Sequence, residues 1–420
     1  MQKRNRFKVL AKPLFILNLG LALCASAGGE PLPFGGVNIA GGEFYKPREG
    51  FRPVYAKDYV YPTQSEIEYF AGKGMNVFRY QFLWETLQHE AKAPLDQPDL
   101  QRLRASVEYA TSRKLVVLLD PHNYARYYGK VVGGSEVGFE DFADFWRRLS
   151  REFQANAYVW FGLVNEPHDM PTQQWVDAAN AAIAAIRSTG AKNLILVPGN
   201  FWTGAQSWAG KGEQSNGRLI LGIKDPLNYW AIEVHQYLDA DCSGRHRSVV
   251  SATIGSERLK GFVEWCRQHR MRAVLGEFAA PIAPNAEEAL QDMLQSMERD
   301  NDVWLGWAWW AAGARWGDYM FTIEPNNGED RPQMAWLRQH LPGSVPPKFL
   351  VSVKNGAGQA EVEAGSVHPI EAAPAPEGMI FKKWAGDTLW LTDPASPQTT
   401  VTMPFKNIEV EAVFQPKRRA

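Results

Sequence analysis

The sequence predicts an α/β fold: a (β/α)8 TIM barrel followed by a small C-terminal all-β module. Two observations carry the barrel. Eight short apolar runs rich in Val, Ile, Leu and aromatic residues alternate with amphipathic stretches between residues 34 and 341. The runs are apolar on both faces, as parallel strands covered by helices must be. A third observation carries the module: beyond Pro342 the pattern becomes one of short alternating strands punctuated by Gly. An open doubly wound sheet, the competing arrangement, would want a Gly-rich phosphate-binding turn, and none is present. A length of 420 residues accommodates one large barrel and an extra unit.

In chain order, the strands are expected at 35–40, 76–82, 115–121, 159–165, 193–198, 230–237, 272–278 and 304–310. Helices fall between them at 64–73, 99–112, 140–154, 172–188, 256–269, 287–299 and 333–340. The stretch between Pro198 and Trp230 is irregular and Gly-rich, so it carries no clear helix. Pro342-Gly343-Ser344-Val345-Pro346-Pro347 reads as a linker. After it, Phe349–Val353 alternates, Gly356 and Gly358 mark a turn, and strand-like runs begin at Phe381, Thr399 and Ile408. The domain boundaries that follow are 1–27 for a leader, 28–342 for the barrel, 343–348 for the linker and 349–420 for the module.

The leader reading rests on Lys3, Arg4, Arg6, Lys8 and Lys12 ahead of an apolar run from Pro13 to Cys24, then Ala25-Ser26-Ala27 as a small-residue cleavage pattern. The run is too short for an ordinary membrane span. Export to the periplasm or the medium is expected; Leu21-Ala22-Leu23-Cys24 also resembles a lipoprotein box, with lipidation at Cys24 as the alternative. Cleavage leaves Cys242 and Cys266, an even pair that permits a disulfide in an exported protein. No Cys/His cluster has metal-ligand spacing, and no cofactor is expected. The net charge of -1 argues against nucleic acid or an anionic membrane as the main partner, and a monomer is expected. Sixteen Trp exceed what a core needs, so several are expected to line a groove, where flat rings stack on sugars.

The polar and ionisable groups of the barrel sort to one rim. Arg79 comes late in the second strand, His122 and Asn123 end the third, and Asn165 and Glu166 end the fourth. His235 and Tyr237 end the sixth, Glu277 the seventh and Trp310 the eighth. Sites of such barrels lie at the C-terminal ends of the strands. A charge at the end of a buried strand is costly unless it has partners or a task. Two carboxyls facing each other there match glycosidic bond cleavage: one stays protonated to serve the leaving oxygen, the other stays ionised to attack the anomeric carbon. Burial or a nearby negative charge favours the first state, and an adjacent Arg the second.

Around these positions the chain resembles glycoside hydrolase family 5, in its endo-β-1,4-glucanase (cellulase) branch. The likeness runs through Gly36-Val37-Asn38-Ile39-Ala40-Gly41, Gly74-Met75-Asn76-Val77-Phe78-Arg79, Asp120-Pro121-His122-Asn123-Tyr124-Ala125-Arg126, Val164-Asn165-Glu166-Pro167-His168-Asp169, Val234-His235-Gln236-Tyr237-Leu238-Asp239-Ala240-Asp241 and Gly276-Glu277. It implies Glu166 as general acid/base and Glu277 as nucleophile, with Arg79 and Tyr237 orienting Glu277. It further implies Asn165 and His122 on sugar hydroxyls, His235 beside Glu166, and Trp310 as stacking floor, with the adjacent Trp309 as the rival for that place. Arg126, Tyr127 and Trp202 are candidates for contacts farther along a glycan, and Asp239 and Asp241 read as loop-structuring.

The module resembles divergent bacterial surface repeats through Asn355-Gly356-Ala357-Gly358, Trp384-Ala385-Gly386-Asp387 and its closing strands, which implies a spacer or adhesion role. The resulting expectation is a secreted retaining endo-β-1,4-glucanase acting on cellulose or related β-glucan. The alternatives are a same-mechanism hydrolase of mannan, xyloglucan or mixed-linkage glucan, and a non-catalytic glycan-binding surface protein.

Overall fold

Eight parallel strands close on themselves in a computed structural model that describes residues 29–343 and 346–417. They are β1 (Phe34–Gly42), β2 (Val77–Phe82), β3 (Val116–Pro121), β4 (Val159–Gly162), β5 (Ile195–Pro198), β6 (Trp230–His235), β7 (Ala273–Phe278) and β8 (Trp304–Ala312). Each pairs with its sequence neighbours, and β1 closes the barrel against β8. Between them run α1 (Gln64–Gly72), α2 (Gln97–Thr111), α3 (Phe139–Phe153), α4 (Thr172–Ser188), α5 (Asn216–Leu219), α6 (Ile254–His269) and α7 (Ala286–Arg299), with α8 (Pro332–Leu337) after β8. The fifth crossover is the Gly-rich stretch, and its helix is a single turn. The leader at residues 1–27 and the alternative of a lipidated Cys24 lie outside the described residues.

Two strands end earlier than the sequence suggested. The β4 ladder stops at Gly162 and β6 at His235, so Asn165, Glu166 and Tyr237 stand just beyond the regular sheet. Glu166 has φ +41°, a left-handed conformation that a non-glycine residue adopts at a cost. Freed from the ladder, these residues aim their side chains across the mouth.

Side chains alternate along each strand, so every second residue belongs to the barrel interior. Val77, Val116, Trp160, Ala231 and Val274 form the lower interior, within one apolar cluster. Two residues on along the same strands come Arg79, Leu118, Gly162, Glu233 and Gly276, and β3 turns polar at Asp120. The interior therefore changes from apolar to charged along the barrel axis.

That apolar cluster does not end at the barrel. It continues into the C-terminal module through Val351, Trp390, Met403, Phe405 and Ile408. The module contains β9 (Lys348–Lys354), β10 (Gly356–Ala357), β11 (Ala360–Glu363), β12 (Val367–Ala372), β13 (Met379–Gly386), β14 (Gln398–Thr402) and β15 (Ile408–Pro416). They form a four-stranded sheet in the order β11-β9-β15-β13 and a three-stranded sheet in the order β10-β12-β14. Trp384 is buried in the module core, its indole N–H on the Ser396 carbonyl.

A spacer role implies a module held at arm's length; the structure packs it against the barrel base. The Phe405 ring meets Phe34 at 5.6 Å and Trp160 at 5.4 Å, both edge-on. The Phe405 N–H donates to the Tyr229 hydroxyl at 2.8 Å, and Trp390 lies edge-on to the Tyr229 ring at 4.9 Å. The Tyr158 hydroxyl donates to the Ala364 carbonyl at 2.8 Å, and Lys114 pairs with Glu363 at 2.7 Å. Gly365 has φ +77° and lies against the Tyr158 ring, where a β-carbon would come within 2.9 Å.

The disulfide expected between Cys242 and Cys266 is absent, and both thiols are free. Cys242 lies in the loop after β6 at the mouth, whereas Cys266 is buried near the far end of α6. The twelve helical steps from Ile254 to Cys266 carry it roughly 18 Å along the axis, beyond disulfide reach.

Candidate active site

Arg79 organises the floor of the mouth. It is fully buried on β2, and its guanidinium meets partners from five other strands or strand ends. Nη1 donates to Asn38 of β1 at 2.9 Å and to Glu277 of β7 at 3.0 Å, and lies 3.0 Å from Asp120 of β3. Nη2 donates to Asn165 after β4 at 2.8 Å, and Nε lies 2.8 Å from Glu233 of β6. Burial opposes a charge on the guanidinium, but Asp120, Glu233 and Glu277 raise its pKa above the usual arginine value. These partners offset the cost of burying the charge.

Glu277 receives Arg79 on Oε1 and the Tyr237 hydroxyl on Oε2 at 2.8 Å. Burial raises its proton affinity, while His235 and Arg79 oppose that. The net direction is upward from the usual carboxylate value, while donation from Arg79 and from the Tyr237 hydroxyl to its two oxygens favours the anion.

Glu166 is the more exposed of the pair, and its Oε1 lies 2.7 Å from Nδ1 of His235. One ligand atom each from Glu166, His235 and Glu277 lie within 4.8 Å of one another. At least one oxygen of each carboxyl therefore lies close to the other, which fits the separation of about 5–5.5 Å used in retaining cleavage better than the wider gap of inverting enzymes.

The remaining predicted residues gather around this gap. Asn165 Oδ1 accepts from Arg79, so its Nδ2 donates to Nε2 of His122 at 3.1 Å. His122 Nδ1–H is thereby left to donate to Asp120 at 2.8 Å, which fixes the ring. Trp310 stacks on His122 at 5.5 Å and 19°, and its indole N–H donates to the Tyr319 hydroxyl at 3.2 Å. Trp309 is fully buried, with its N–H on the Phe321 carbonyl, so Trp310 is the ring that reaches the site.

A groove runs through the site in two lobes that share Tyr124. One, about 720 Å³, lies over His122 and Trp310 and is walled by Phe44, Tyr45 and Trp316. The other, about 590 Å³, contains Glu166, His235 and Tyr237 and extends to Trp202. Trp202 is 47% exposed and stacked on His168 at 4.5 Å and 8°, an open aromatic platform. Arg126 lines the first lobe and donates to the His168 carbonyl at 3.0 Å. Tyr127 is not a groove residue: it packs on Trp84 at 4.3 Å and donates to the Gln88 carbonyl. Asp239 holds its loop by accepting from the backbone of Gly244, Arg245 and His246, while Asp241 is exposed at the second lobe.

Sequence reasoning passed over Asp120 and Glu233, both 1% exposed. The signal was available: each is a lone carboxylate inside an apolar strand, Val116–Pro121 and Trp230–His235. It also passed over Tyr124, which carries φ +56° at the junction of the two lobes.

Comparison with known proteins agrees with this geometry. Residues 27–313 match the family described as cellulase (glycosyl hydrolase family 5), and residues 350–418 match the divergent InlB B-repeat domain. Endo-β-1,4-glucanase A of Emericella nidulans is 39% identical over 76% of this chain and 94% of its own length. Among solved structures, an endo-β-1,4-glucanase of Xanthomonas axonopodis pv. citri is 46% identical with a TM-score of 0.71, covering 74% of this chain and 99% of that one. An endoglucanase of Pseudomonas stutzeri solved with cellobiose is 33% identical with a TM-score of 0.68, covering 76% and 97%.

Proposed function

We propose, on the premise that this chain belongs to glycosyl hydrolase family 5, that it hydrolyses internal bonds of β-1,4-glucan with retention of configuration. It is an endo-β-1,4-glucanase, and cellulose or a related β-glucan is its substrate. The observation that carries the retaining mechanism is the approach of Glu166, His235 and Glu277 within 4.8 Å at the barrel mouth.

In the first step Glu277 attacks the anomeric carbon while Glu166 delivers a proton to the leaving oxygen. The lobe containing Glu166 holds the leaving sugar, and the lobe over His122 and Trp310 holds the sugar that becomes bonded to Glu277. Arg79 and Tyr237 keep Glu277 ionised and aimed. Asn165 and His122 present polar groups to the hydroxyls of the bonded ring, and Trp310 stacks beneath it. In the second step Glu166 takes a proton from water, and the water oxygen displaces Glu277 from the anomeric carbon. Residues 1–27 act as an export leader, and the chain works as a monomer outside the cytoplasm.

Chemical rescue tests the assignment. Glu277→Ala is expected to be inactive on carboxymethyl cellulose and to regain turnover of an aryl cellobioside in azide, giving an α-glycosyl azide. Turnover that survives the substitution without azide would remove Glu277 from the reaction.

A further inference from the structure

Glu233 has been given no role beyond its pairing with Arg79. It is 1% exposed and sits on β6 two residues before His235. Its neighbours have given up side chains to admit it. A β-carbon at Gly276 would lie 2.3 Å from Glu233 Oε1, and one at Gly162 would lie 3.4 Å from Oε2. An ionised side chain in such a place is strongly destabilising unless its charge is used. Arg79 Nε lies 2.8 Å from Glu233 Oε1, but Asp120 and Glu277, each 3.0 Å from Nη1, already outnumber the single positive charge of that guanidinium.

What remains is His235. Nε2 of His235 faces Glu233 Oε1 at 3.6 Å. His235 Nε2 and Glu233 Oε2 have no hydrogen-bond partner and Glu233 Oε1 has only its ion pair with Arg79 Nε, although all three atoms are buried. Unpartnered buried polar atoms are rare enough to need a reason. In enzymes without substrate, catalytic hydrogen bonds are often long and tighten on binding. The other ring nitrogen, Nδ1, lies 2.7 Å from Glu166 and 3.5 Å from Glu277.

We infer that Glu233 is a positioning residue for the proton step: by facing Nε2–H of His235 it directs Nδ1 at Glu166 and keeps a transferable proton on that pair. This rests on the assignment of Glu166 as acid/base. The proton leaves through Glu166 to the glycosidic oxygen as the bond from that oxygen to the anomeric carbon breaks and Glu277 bonds to the carbon. In the second step, water returns a proton to the pair as its oxygen bonds to the carbon and Glu277 departs as carboxylate. His235 is faced by Glu166 from the end of β4, Glu277 from β7 and Glu233 from its own strand, with Arg79 of β2 between Glu233 and Glu277. Burial lowers its proton affinity, but Glu277, Glu166 and Glu233 outweigh that and push its pKa up to about 10. Removing the Glu233 charge therefore lets the pair lose its proton at lower pH.

Two measurements on the full chain test this. Glu233→Gln is expected to move the basic limb of the kcat/KM profile on cellotetraose down by about one pH unit. It should cost about tenfold more on cellotetraose at alkaline pH than on 2,4-dinitrophenyl β-cellobioside, whose leaving group needs no proton. An unmoved basic limb, or equal losses on both substrates, would overturn the inference and reduce Glu233 to a support for Arg79. The second measurement needs no variant. In ¹⁵N-histidine-labelled enzyme, the His235 resonances should show both ring nitrogens protonated at pH 7. A neutral ring with its proton on Nδ1 would equally overturn the inference. Because NMR reads the ring without turnover, its outcome is separable from failure of the retaining mechanism itself.

Discussion

At the base of the barrel, Phe405 is packed among Phe34, Trp160 and Tyr158. At the mouth, Arg79 stands among Asp120, Glu233, Glu277 and Asn165. Val77 and Arg79 are two residues apart on one strand and belong to these opposite worlds. The difference shows how the molecule divides its work. Closely packed rings at the base contribute burial energy, of the order of 25 cal/mol per Å² of apolar surface. The mouth concentrates buried charges, which hold one another in place but add little net stability. Stability and chemistry are thus supplied from opposite ends of one set of strands, and the C-terminal module belongs to the stabilising end.

The largest expected effect lies at the mouth. Glu277→Gln should lower kcat on soluble cello-oligosaccharides by at least about three orders of magnitude, while thermal unfolding shows a Tm no lower than that of the parent chain. A large fall in Tm would mean that the charged mouth carries stability after all. At the base the signs reverse. Deleting residues 346–420 uncovers Phe34, Trp160 and Tyr229 and should lower Tm markedly and promote aggregation. At temperatures where the barrel stays folded, kcat/KM on carboxymethyl cellulose should remain within about threefold, since the module lies away from the groove. Phe405→Ala removes only the central ring and should cost about 3–5 kcal/mol in urea unfolding, again with kcat/KM intact. Tyr229→Phe removes the hydroxyl that accepts from the Phe405 N–H, for a loss of about 1 kcal/mol. If base substitutions changed kcat as strongly as stability, the two ends would not be separable.

The barrel was legible because each strand is a local signal, short and apolar on both faces, and several are ended by a polar residue. The polar rim at Arg79, His122, Asn165, Glu166, His235, Tyr237, Glu277 and Trp310 was legible for the same reason, and the structure brings all eight together. Asp120 and Glu233 carried the same signal but lie inside strands rather than at their last residue. The docking of the module was not legible. Phe34 and Trp160 look like any core residues, and nothing local in Met403-Pro404-Phe405 marks it as an insertion into the barrel base. The cysteine pair misled because an even count says nothing of distance, and α6 separates the two thiols along its length.

The configuration of the first-formed product tests most directly whether Glu166 and Glu277 act as a close pair. Proton NMR of cellopentaose hydrolysis, followed before mutarotation, should show the β-anomer at the new reducing end accumulating first. Initial accumulation of the α-anomer would mean that water, not Glu277, attacks the anomeric carbon.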